Sequence, residues 1–157
     1  MNKYIEVLVN GLTYHGQMLH IVINYALIFI CLYPFFKLKG QWKKVFRKYW
    51  ISTFSIMSIL QIYFWFTEDA TGISLIWSAL AGLNILILLR IQRQTDEGMP
   101  LIKISFWISL FCVLFADIYY WFTFPAITTI AHLLATFMGM GIYGVVMLIS
   151  RMTGERN

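Results

Sequence analysis

Apolar residues run through this chain in long blocks separated by short polar breaks. The blocks cover residues 17–36, 49–66, 72–89, 104–124 and 127–150. Each approaches the roughly 20 residues that an α-helix needs to cross a hydrocarbon core of about 30 Å. They are too long and too continuously apolar for the alternating strands of a membrane barrel, and only helices or closed barrels satisfy the backbone inside lipid. The pattern therefore predicts an all-α, polytopic integral membrane protein. Its single domain, residues 1–157, is a bundle of five transmembrane helices.

Composition agrees with the pattern and removes the competing classes. Of 157 residues, 60% are hydrophobic and 12% charged, and the chain has two cysteines. A soluble domain is about 45–50% apolar and about 25% charged, and a short chain cannot hide so much apolar surface in one core. Disorder and a disulfide scaffold are excluded by the same figures. Cys31 falls near the end of the first span and Cys112 midway in the fourth, so two buried thiols are expected rather than a disulfide.

Charge sets the orientation. Lys37, Lys39, Lys43, Lys44, Arg47 and Lys48 follow the first span, Arg90, Arg93 and Lys103 separate the third from the fourth, and Arg151 and Arg156 follow the fifth. Alternating spans put all but one of the 12 Lys and Arg on one side, with Lys3 on the other beside Glu68 and Asp69. The positive-inside rule then places the N-terminus outside and the C-terminus in the cytoplasm of a plasma-membrane protein. The net charge of +5 is matched by the anionic inner leaflet, with no nucleic acid partner required. Residues 1–16 lack the pattern of a cleavable signal peptide; Tyr4, Ile5, Val7, Leu8, Val9 and Leu12 predict a short helix along the outer interface.

Two further patterns concern packing. Ile62-Tyr63-Phe64-Trp65-Phe66-Thr67 recurs as Ile118-Tyr119-Tyr120-Trp121-Phe122-Thr123, in the same direction, and the register continues through Ala79 and Ala135. Residues 49–89 and 104–150 thus read as a parallel repeat of two hairpins, a device of some transporters. Aromatic belts at the outer interface account for part of the match. Ser74, Ser78 and Gly82 in the third span, and Ala131, Ala135 and Gly139 in the fifth, recur every four residues. Each forms a flat ridge on which a neighbouring helix can rest.

The polar residues inside the spans are the candidate functional groups, because ionisable side chains in a bilayer are costly and usually face the bundle interior. His20, Asn24, Gln61, Asp117 and His132 all fall in the outer half, with His15 at its boundary, while the inner half offers Asn84. The first expectation is a non-enzymatic binding or accessory protein. In it His20, Asp117 and His132, supported by Asn24 and Gln61, form an outward-facing polar site between helices. That site would hold a small ligand or proton, or lock another membrane subunit or a second copy. The alternative is a haem b with His20 and His132 as axial ligands, passing electrons to a quinone. A small oligomeric transporter built on the repeat is the second alternative. No catalytic motif of the HExxH, GxSxG or CxxC type is present. Metal ligation lacks any pair of His or Asp at helical i, i+3 or i+4 spacing.

Overall fold

A computed structural model describes residues 3–13, 18–67, 73–94, 99–123 and 126–153. All the described elements are helices: α1 (Lys3–Thr13), α2 (Met18–Lys37), α3 (Gly40–Thr67), α4 (Ser74–Gln94), α5 (Met99–Thr123) and α6 (Ala126–Met152). Three of them, α3, α4 and α6, are long and apolar enough to cross a membrane. The described apolar stretches of α2 and α5, over Ile21–Lys37 and Lys103–Phe115, are shorter.

The arrangement is a ring around a core helix. α4 packs against α2, α3, α5 and α6, and these four close around it through the neighbouring pairs α2–α5, α5–α6, α6–α3 and α3–α2. The most apolar window of α4 is 67% buried, against 22% in α3 and 28% in α6, so α4 is the enclosed one of these three. Leu80, Leu83, Ile87, Leu88 and Ile91 are its fully buried large aliphatic residues, with Ala79 and Ala81 buried beside them. Outward-facing Phe29, Ile59, Trp107, Phe111, Phe137 and Leu148 form an apolar exterior, which suits contact with lipid rather than water.

Helix directions follow from contacts at the two ends. Asn24 meets Trp77 and Cys31 meets Asn84, both pairs 53 residues apart, so α2 and α4 run parallel in one register. His132 meets Ser74 near the start of α6 and α4, and Arg90 meets Tyr143 towards their ends, so these two are parallel as well. α3 and α5 run the other way, and every neighbouring pair in the ring is antiparallel.

Small residues make the tightest crossing. A Cβ built on Gly82 would collide with the carbonyl of Thr136, and one on Gly139 with the carbonyl of Ala79. The two ridges read from the sequence therefore rest on one another where α4 crosses α6. Without a hydrophobic drive between helices in lipid, such backbone approach is a main source of association. Asn84 adds a polar link, its Nδ2 donating to the Cys31 carbonyl at 2.9 Å and to Ser109 Oγ at 3.4 Å, which ties α2, α4 and α5 together.

One helix differs from the spans drawn on hydropathy. α3 begins at Gly40, well before residue 49, so most of the basic segment 37–48 is helical. The cause is a stripe the lysines conceal: Trp42, Val45, Phe46 and Tyr49 recur at helical spacing, and the last three are buried. Gly40 supplies the start, with a φ of 54° that a side chain would oppose. α1 is the short helix expected near the N-terminus, and it packs on α3, where Gly11 lies against the Trp65 ring. The Cys31 thiol is buried and donates to the Trp77 carbonyl at 3.9 Å; the Cys112 side chain lies outside the described residues.

Candidate functional site

The end of the bundle at which α4 and α6 begin holds a connected set of buried polar side chains. Trp77 of α4 is at its centre. Its indole Nε1 donates to Asn24 Oδ1 of α2 at 2.7 Å, and its ring meets the His132 imidazole of α6 edge to face at 5.5 Å and 90°. His132 Nε2 lies 3.0 Å from Ser74 Oγ, one turn before Trp77. Asn24 is 0% exposed and His132 1%. A buried indole needs an acceptor for its N–H, which Asn24 supplies, and a buried imidazole needs a hydrogen-bond partner, which Ser74 supplies to Nε2. Thr136 Oγ1 donates back to the His132 carbonyl within α6.

Gln61 and Thr129 stand apart from this set. Both are buried, yet Gln61 Oε1 and Thr129 Oγ1 have no hydrogen-bond partner. An unmatched amide oxygen or hydroxyl in an apolar setting costs on the order of 1–3 kcal/mol, which a water or a ligand hydroxyl would offset. Thr129 is one turn from His132 on α6. Equal steps along α3 and α6 from the Lys48–Ser150 and Tyr49–Tyr143 contacts set Gln61 level with residues 131–137, hence with His132.

Backbone register locates the other two candidates. The α2–α4 register sets His20 level with Ile73, and counting from the Asn84–Ser109 contact along antiparallel α5 sets Asp117 level with Ile76. His20, Gln61, Asp117 and His132 thus occupy one layer, within about a turn, around Ser74–Trp77. The side chains of His20 and Asp117 lie outside the described residues, as do His15, Glu68 and Asp69 entirely.

Within this layer the paired-histidine arrangement for haem meets two obstacles. α2 and α6 are not neighbours in the ring; each packs on α4, and Trp77 is the residue that joins them. The Nε2 of His132 already faces Ser74. His132 is thus a packed, hydrogen-bonded side chain, and the second histidine of the pair, His20, has its side chain outside the described residues. Among the described residues no group of three or more His, Cys, Asp or Glu is close enough to hold a metal ion.

Sequence reasoning named Asn24 and His132 but not the residue connecting them. Trp77 reads as one more apolar position in the third span, and Ser74 as part of a packing ridge. A usable signal exists: Asn24 and Cys31 are seven apart, as are Trp77 and Asn84, so a shared heptad marks two helices that run side by side. No family model, curated protein or solved structure matches this chain.

Proposed function

We propose that the chain is a five-span plasma-membrane protein, with its N-terminus outside and its C-terminus in the cytoplasm. It performs no chemistry of its own and acts as a binding or accessory subunit. Its site is the polar layer in the outer half, where Asn24, Trp77, His132 and Ser74 form a fixed wall and Gln61 and Thr129 offer unfilled hydrogen-bonding atoms. The observation that carries this reading is the pair of buried, unmatched oxygens on Gln61 and Thr129 at the height of His132. The occupant they suit is a small polar molecule, or water carrying a proton, reached from outside. His20 and Asp117 belong to the same layer and would complete it from α2 and α5.

Native mass spectrometry from lipid nanodiscs tests this, with wild type and Gln61→Leu compared. The wild type should carry a non-covalent small-molecule or subunit adduct above the 18.4 kDa chain, and Gln61→Leu should lose it. The variant should also melt at or above the wild-type temperature, because it removes an unmatched buried amide oxygen. A bare wild-type chain together with a destabilised Gln61→Leu would refute the site. Labelling of Ser74 by a fluorophosphonate would refute the non-enzymatic reading, since Ser74 and His132 would then be acting as nucleophile and base.

A further inference from the structure

The short helix α1 crosses the last turn of α3. Gly11 lies so close to the Trp65 ring that a Cβ built on it would overlap the six-membered part of the indole. Tyr4 meets the Phe66 ring, with centroids 5.9 Å apart. Tyr4 and Gly11 are separated by about 10 Å of helix, yet they meet consecutive residues of α3. α1 therefore runs across α3 rather than along it. It is tied to α2 as well, where the Tyr25 hydroxyl donates to the Leu12 carbonyl at 3.3 Å. Since α2 and α3 are neighbours in the ring, α1 spans the seam between them.

Both ties fall beside the polar layer. Tyr25 follows Asn24 in α2, and Trp65 is one turn beyond Gln61 on the buried face of α3. A long side chain on a helix leans back towards the N-terminus, which for Trp65 is the direction of Gln61. Trp65 is 4% exposed and stands between Gln61 and the end of the bundle at which α4 and α6 begin. α1 itself is held lightly. An isolated helix of 11 residues is marginal, and Gly11 is the only buried residue among those described in α1, with Val7 half-buried. A segment with so little apolar burial opens locally at small cost.

We infer that α1 is a strap that governs access to the polar layer. Seated on Trp65, it closes the outer route to Gln61 and Thr129; lifted from Trp65, it opens that route. Glycine at position 11 is what lets the strap seat, because any side chain there would prop it off the ring. The inference rests on the polar layer being the site proposed above, and it assigns that site its regulation.

The test places Gln61→Cys in the full chain, in nanodiscs, where both faces are open to reagent. A charged, membrane-impermeant methanethiosulfonate is added, and peptide masses give the labelling rate at position 61 apart from Cys31 and Cys112. Labelling should be slow with Gly11 in place and about tenfold faster with Gly11→Val, whose side chain has no room on the ring. Tyr25→Phe removes the tie to α2 and should speed labelling about fivefold, the population change from one ordinary hydrogen bond. Amide hydrogen exchange in α1 should rise in both variants. Equal labelling in all three chains would overturn the strap, and so would slow labelling in Gly11→Val despite faster exchange of α1. Unchanged exchange in Gly11→Val would overturn it too, since Gly11 would then not be the seat. Thr129→Cys is the reporter if Gln61→Cys fails to fold. Because labelling needs no ligand, strap-controlled labelling in a chain that carries no adduct would support the strap while refuting the occupant.

Discussion

Adding one methyl group at Gly139 should loosen the whole bundle. A Cβ there would lie 2.7 Å from the carbonyl carbon of Ala79 and 2.9 Å from its Cα, besides meeting the carbonyl oxygen. Ordinary carbon contacts are about 3.5–4.0 Å, so α4 and α6 must part by about 1 Å. The obstacle is backbone, which cannot rotate away as a side-chain tip would. If the crossing contains as many close atom pairs as one buried leucine, about 40–60, and a gap of that size forfeits a quarter to half of each contact, about 3 kcal/mol is lost. Alanine returns about 1 kcal/mol through its better helix propensity. Gly139→Ala should therefore destabilise by about 2 kcal/mol. Gly141→Ala is the control, because nothing lies within 4 Å of its Cβ position. It should be neutral or gain up to about 1 kcal/mol. Reversible unfolding by SDS in mixed lipid–detergent micelles, followed by circular dichroism, reads the difference. Equal midpoints for the two variants would show that the α4–α6 crossing is not where this protein is held together.

The remaining predictions use the same unfolding assay except the last two. Trp77→Phe and Asn24→Leu should each cost about 1–2 kcal/mol, and the double variant little more than either, because one hydrogen bond is removed in all three. Asn84→Leu should cost about 2–3 kcal/mol, since it unlinks three helices and adds bulk at a fully buried position; a neutral result would mean that Cys31 and Ser109 need no partner. The visible spectrum of the purified protein should show no Soret band, with or without dithionite, and a band that shifts on reduction would restore the haem alternative. A tag after Met1 should be accessible only from outside and one at Asn157 only from the cytoplasm; both on one side would mean an even number of spans.

The helices were legible in the sequence because an apolar block long enough to span lipid has few other stable states. The ridges at Ser74–Ser78–Gly82 and Ala131–Ala135–Gly139 were legible for a similar reason, four-residue spacing being a property of one helix. Which ridge meets which was not, because small residues fit any other flat face. The start of α3 was hidden by hydropathy averaging: Lys43, Lys44, Arg47 and Lys48 outweigh Val45 and Phe46 in a window, though not on a helical projection. The polar layer was half legible. His132 and Asn24 stand out as polar residues in apolar runs, whereas Trp77 counts as apolar until its N–H is buried and requires an acceptor. Ring order was the least accessible: α2 beside α6 is the simplest closure of five helices, and enclosing α4 replaces it with α2–α5–α6–α3.

An enclosed central helix also has consequences for the order of assembly. Chains emerge from synthesis N-terminus first, and earlier segments settle before later ones exist. Of the four helices that surround α4, only α2 and α3 precede it, and they can receive it through Asn24, Cys31 and the face of α3. Its other flank, with Ala79, Gly82 and the carboxamide of Asn84 partly unserved, waits in lipid until the α5–α6 hairpin arrives. That interval is when the nascent chain is open to quality control, and a ribosome stalled after α4 would leave a product marked for recognition by an exposed flat face and a half-satisfied amide.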